Sequence, residues 1–107
     1  MKIVLEDREY DFVAKGNFLR RYQNEFKEDG NFVIALYRSI NERDLLTTAK
    51  LVYCGIDESM TFDEWLDSFE TPLFLMNEQA RVNDYLVRST SPTVESKNSK
   101  NSKKKTI

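Results

Sequence analysis

The sequence predicts an α+β fold, mainly α: a short N-terminal β-hairpin, about five helices and a disordered C-terminal tail. Three observations lead there. Apolar residues alternate over the first 14 positions, then recur every three or four from residue 17 onward. Helix-start and helix-stop signals punctuate that second stretch. Residues 89–107 contain almost nothing to bury.

Residues 2–6 and 9–14 read as the two strands. Ile3 and Leu5 share one face of the first, Tyr10 and Phe12 alternate with Asp11 and Val13 on the second, and Asp7-Arg8 is the expected turn. A hairpin alone is marginal in water, so it must pack on something. Phe18, Tyr22 and Phe26, with Leu19 beside them, then form the stripe of a first helix that Asp29-Gly30 ends. A second follows, capped by Asn31, with Val33, Leu36, Tyr37 and Ile40 as its expected core face, widened by Phe32 and Ile34. A third is expected from about Glu42 to Cys54, with Leu45, Ala49, Val52 and Ile56 as its stripe and Gly55 as its stop.

The clearest local signal is Thr61-Phe62-Asp63-Glu64, a capping box in which Thr61 and Glu64 satisfy each other's backbone N–H groups. Met60 and Trp65 are placed to form a hydrophobic staple around it. Phe62, Trp65, Leu66 and Phe69 are the apolar set of this short helix. Thr71-Pro72 reads as the start of a last helix running to about Arg88, with Leu75, Gln79, Val82 and Leu86 on one face. So polar a stripe predicts weak attachment to the core, as a mobile arm or a partner-binding element. The expected organisation is one compact domain over 1–88 and a disordered basic tail over 89–107.

The chain of 107 residues is 40% hydrophobic and 32% charged, enough apolar material for one core. Its net charge of −2 hides an asymmetry: residues 1–94 carry 11 Lys and Arg against 17 Asp and Glu, and residues 95–107 carry five Lys against one Glu. An acidic body argues against broad binding to nucleic-acid backbones. No stretch reaches the roughly 18 apolar residues of a membrane span, and no apolar signal segment follows Met1, so a cytosolic protein is expected.

The chemistry of catalysis is thin. There is no histidine, the single Cys54 sits in the apolar run Leu51-Val52-Tyr53-Cys54, and Gly16, Gly30 and Gly55 are too far apart for a phosphate-cradling loop. Asp63, Glu64 and Asp67 are a carboxylate cluster, but acidic residues at a helix start also suit the helix dipole. The expectation is no enzyme, no metal and no cofactor.

The order of these segments resembles the tail assembly chaperones of long-tailed bacteriophages of Gram-positive hosts. Met1-Lys2-Ile3-Val4-Leu5 followed by Arg8-Glu9-Tyr10-Asp11-Phe12 is similar to that family's opening hairpin. Gly16-Asn17-Phe18-Leu19-Arg20-Arg21-Tyr22 is similar to its first helix, residues 45–54 to its central helix, and Thr61-Phe62-Asp63-Glu64-Trp65-Leu66 to its capped helix start. The resemblance covers roughly residues 1–88. It implies a non-catalytic protein of the host cell cytoplasm, absent from the mature virion. Such a protein binds the tape measure protein, keeps it soluble, helps recruit tail tube protein, and is in some cases extended by ribosomal frameshifting. No small-molecule substrate or membrane is implied, and self-association into a homo-oligomer is compatible with the role.

A groove among helices is what an amphipathic partner helix needs. The expected partner-binding set is Phe62, Trp65, Phe69, Leu75, Val82 and Leu86. The alternative reading is a small nucleic-acid-associated regulator that uses the tail lysines Lys97, Lys100, Lys103, Lys104 and Lys105.

Overall fold

The structure, a computed structural model, describes residues 1–90. Strand β1 (Lys2–Leu5) runs antiparallel to β2 (Arg8–Asp11), with Ile3 opposite Tyr10 and Leu5 opposite Arg8. Ile3 and Leu5 point into the core, as the alternation predicts. The turn is Glu6-Asp7 rather than Asp7-Arg8, and Glu6 takes the positive φ of 59° that a tight hairpin turn uses. Arg8 is therefore a strand residue. Its guanidinium donates to the Ser68 hydroxyl at 2.7 Å and to the Ser68 carbonyl at 2.6 Å, and it lies 4.2 Å from the Phe69 ring centre.

Five α-helices follow. In α1 (Gly16–Glu25), Phe18 and Tyr22 are buried and Leu19 is exposed. One 3-10 turn over Lys27–Asp29 and Gly30, at φ 89°, lead to α2 (Phe32–Asn41). Asn31 caps α2 by accepting the Ile34 N–H at 3.0 Å.

The orientation of α2 overturns much of the expected core face, of which only Leu36 and Phe32 pack partly buried against the core. Ala35 and Ser39 point inward at 1% and 0% exposure, whereas Val33 is 70% exposed and Tyr37 59%, with Ile34 and Ile40 beside them. The reason is a buried polar cluster. The Ser39 hydroxyl bonds to Thr48 of α3 and donates to Asn83 of α5, and Gln79 donates to Thr48 at 3.0 Å. Asn83 returns a bond to the Ser39 carbonyl at 3.1 Å. Satisfying these groups requires the small side of α2 to face its neighbours.

Helix α3 (Leu45–Gly55) is the central element and has seven buried residues. It starts later than Glu42 because the Asp44 carboxylate accepts the N–H groups of Leu46 and Thr47 and sets the cap there. Gly55 is the last helical residue, and the Phe12 ring lies against it so closely that a Cβ would come within 2.3 Å of Phe12 Cε1. The capping box of α4 (Phe62–Asp67) forms in full: Thr61 Oγ accepts the Glu64 N–H at 3.2 Å, and Glu64 Oε1 accepts the Thr61 N–H at 3.0 Å.

A single helix from Thr71 to Arg88 does not form. Residues 71–78 are linked turns, with Phe74, Met76 and Glu78 each donating to the carbonyl three residues back. Helix α5 (Gln79–Thr90) begins after them and runs two residues past the expected end of the domain. It is firmly embedded rather than a loose arm: Val82 and Leu86 are fully buried, and the polar positions of its stripe are those that bond Ser39 and Thr48. The tail lysines Lys97, Lys100, Lys103, Lys104 and Lys105 lie outside the described residues.

Candidate interaction surfaces

The six residues expected to meet a partner are core residues. Trp65, Val82 and Leu86 are wholly inaccessible, Leu75 nearly so, and Phe62 and Phe69 are buried. The reason is mutual aromatic packing. Trp65 sits among Tyr10, Tyr53, Phe62, Phe69 and Phe74 with ring centres 5.2 to 6.4 Å apart, and its indole N–H donates to the Tyr10 hydroxyl at 3.2 Å. Phe69 stacks on Phe74 at 3.9 Å. Rings this enclosed hold α4 to the hairpin and to α3, and only the edges of Phe62 and Phe74 reach the clefts beside them.

What the fold leaves open lies beside that cluster. The start of α3, the end of α4 and the turns at 71–75 enclose a cleft of about 450 Å³. Leu46 and Leu73 are half-exposed at its mouth, and Leu45, Leu66 and Phe74 are partly covered along it. Of the six expected residues, only Leu75 lines this cleft.

A second cleft of about 540 Å³ shares Leu46 and Leu66 with the first, and Phe62 contributes to its wall. Its character is different. Glu25, Glu28, Asp29 and Asp63 surround it, opposed by Lys27 and Lys50. Lys50 is held by Asp29 at 2.6 Å and lies over the Phe26 ring. Glu25, Glu28 and Asp63 form no ion pair among the described residues. An apolar trough thus opens into an acidic one. Asp63 and Glu64 are where a carboxylate site was conceivable from sequence, yet Glu64 is committed to the cap of α4.

The third open feature is the outer face of α2. Beside it, between α1 and α2, a recess of about 320 Å³ is lined by Leu19, Tyr22, Phe32 and Val33. Sequence periodicity assigned these residues to the core, which holds for Tyr22 and in part for Phe32 but not for Leu19 and Val33. The signal for the true orientation was the polar set Ser39, Thr48, Gln79 and Asn83, each at a helical position that faces the others.

Cys54 is buried, and burial foremost pushes its thiol up to about 12 from an ordinary 9.0. A thiol held protonated in this way is a poor nucleophile. Among the described residues there is no group of three or more His, Cys, Asp and Glu side chains placed to hold a metal ion, and no helix is long and apolar enough to cross a membrane. Compared with known proteins, the chain matches no family model, no curated protein and no solved structure.

Proposed function

We propose that this chain is a non-catalytic assembly chaperone of a long-tailed phage, one that holds amphipathic helices of the tape measure protein in the host cytoplasm while tail tube subunits are recruited. The observation that carries the reading is the two-part cleft, an apolar trough at Leu46, Leu66 and Leu73 running into a trough rimmed by Glu25, Glu28 and Asp63. A groove of that kind suits a helix with one apolar row and lysine or arginine at one end. Apolar contact supplies the affinity. The acidic rim selects the direction in which the helix lies and favours encounter with a basic partner.

Placing the contact at this cleft replaces the buried set. The test uses exposed residues so that binding and folding separate. Leu46→Asp and Leu73→Asp, singly and together, are expected to lower co-purification with the tape measure protein tenfold or more and to leave the melting temperature within a few degrees of the parent. Full retention of the partner by the double variant overturns the cleft assignment. Trp65→Ala cannot serve here. Truncating a fully enclosed Trp costs about 3–5 kcal/mol of stability and removes folded protein along with any binding.

The nucleic-acid reading rests on the tail lysines alone. Residues 1–90 carry 11 basic and 17 acidic side chains, a balance that repels a phosphate backbone.

A further inference from the structure

We infer that the outer face of α2 is a pairing surface for a second copy of this chain, joined across a two-fold axis. Helix α2 turns Phe32 and Leu36 partly toward the core but leaves four other large apolar residues outside. Val33 and Tyr37, one turn apart, stand outward with Ile34 and Ile40, while Ala35 and Ser39 face in. The buried bonds from Ser39 to Thr48 and Asn83 fix this orientation, so the apolar stripe cannot be hidden by rotating the helix. The stripe is a permanent surface feature.

Three observations select a second copy as its cover. The first is self-complementary shape. The recess between α1 and α2 ends at Val33, and the exposed Tyr37 ring stands one turn further along the same helix. An axis crossing α2 midway between Val33 and Tyr37 sets each Tyr37 against the other copy's Val33 and at the mouth of the other copy's recess. That reciprocity is what an isologous interface requires.

The second is charge. The whole of residues 1–94 is net −6, and that charge is unevenly placed. Residues 16–44, which include α1 and α2, carry five basic and five acidic side chains and are neutral. Residues 45–70 by contrast carry one basic and six acidic side chains, so copies meeting through α1 and α2 avoid the repulsion that apposing that acidic side would meet.

The third is area. Leu19, Val33, Ile34, Tyr37 and Ile40 of two copies together expose on the order of 1,000 Å², so even their complete burial only reaches the lower bound for a specific interface. The pairing is therefore a monomer–dimer equilibrium rather than a permanent dimer. The surface shares no lining residue with the cleft assigned to the partner helix, and it stands whether or not the chaperone reading does.

Sedimentation velocity on the full chain over a hundredfold range of concentration tests it. The expected result is a mass rising from 12.6 kDa toward twice that value. Val33→Glu and Tyr37→Glu, both at exposed positions, hold the protein at the monomer mass with an unchanged circular dichroism spectrum. Leu73→Asp leaves the association as it was. A mixture of Val33→Cys and Tyr37→Cys chains forms an intermolecular disulfide under mild oxidation faster than either alone. A chain that stays at 12.6 kDa throughout, a dimer indifferent to Tyr37→Glu, or growth past two copies overturns the inference.

Discussion

At the scale of single residues, burial decides chemistry before charge does. Cys54 and Tyr22 are both driven to about 12 chiefly by the cost of placing a charge inside the core, with Glu25 adding to the effect at Cys54 and Asp29 at Tyr22. Their folded-state values lie above those of the unfolded chain, where the Cys54 thiol is already half ionised at its ordinary 9.0. Below about pH 8 neither changes stability. As pH rises from about 8 toward 12 the unfolded chain releases these protons and the folded chain retains them, so stability falls over that window. The urea midpoint is expected to stay level from pH 7 to about 8 and then decline steadily. Cys54→Ala is expected to reduce the decline between pH 9 and 10, where the thiol is the first of the two to ionise in the unfolded chain. A parent midpoint that holds constant to pH 11 contradicts the assignment.

The same scale shows why some of the site was unreadable. An apolar residue at helical spacing reports that a face exists, not which neighbour claims it. Phe62, Trp65 and Phe69 were recognised as one apolar set, yet sequence spacing cannot reveal that Tyr10, 55 residues earlier than Trp65, supplies the hydroxyl that closes over the indole. The open positions Leu46 and Leu73 carried no mark of exposure at all.

At the scale of elements, what was legible is what is local. The capping box of α4, the Asn31 cap and the Phe18 and Tyr22 stripe all depend on residues within one or two turns of each other, and they formed as expected. The features that differ depend on distant partners. Thr71-Pro72 is a sound helix start, and Thr71 does accept the Leu73 N–H as a cap, but the backbone bonds that follow reach three residues back rather than four, so 71–78 stays as turns, with the Thr71 N–H tied to the Glu6 carboxylate. Helix α2 is the stronger case, because Val33, Ile34, Tyr37 and Ile40 lost the core to Ala35 and Ser39 while Phe32 and Leu36 kept only a partial hold on it. Two substitutions on this one helix separate the faces. Ser39→Leu forces three extra carbons into a filled site and strands Thr48 and Asn83, and is expected to cost about 2–4 kcal/mol. Val33→Ser is expected to change stability by no more than about 0.5 kcal/mol, as at other exposed positions. Urea denaturation of the two variants measures both, and a larger loss at Val33 than at Ser39 would reverse the orientation of α2.

At the scale of the whole molecule, the hairpin is stitched to the far end of the described chain. The Val4 N–H of β1 donates to Glu78 Oε2 at 2.7 Å, which occupies the strand edge that otherwise invites pairing with another chain. Glu78 also holds Arg81, and Arg81 donates to the Lys2 carbonyl at 3.2 Å. The Glu6 carboxylate accepts the N–H groups of Glu70 and Thr71, and Arg8 grips Ser68. These contacts join residues 60 to 79 positions apart, so neither end can leave without exposing polar groups on the other. The consequence is one cooperative unit rather than a helical body with an appended hairpin. Trp65, the single Trp of the chain, is bonded to Tyr10 of β2, so its fluorescence reports the docking of the hairpin while far-ultraviolet circular dichroism reports the helices. Both probes are expected to follow a single coincident transition in urea. Glu78→Ala, which removes the acceptor of Val4 and the partner of Arg81, should lower stability by about 1–3 kcal/mol and shift both curves together. Fluorescence that changes well before the circular dichroism would mean the hairpin undocks from an intact helical body, and the two ends of the chain would not be energetically joined.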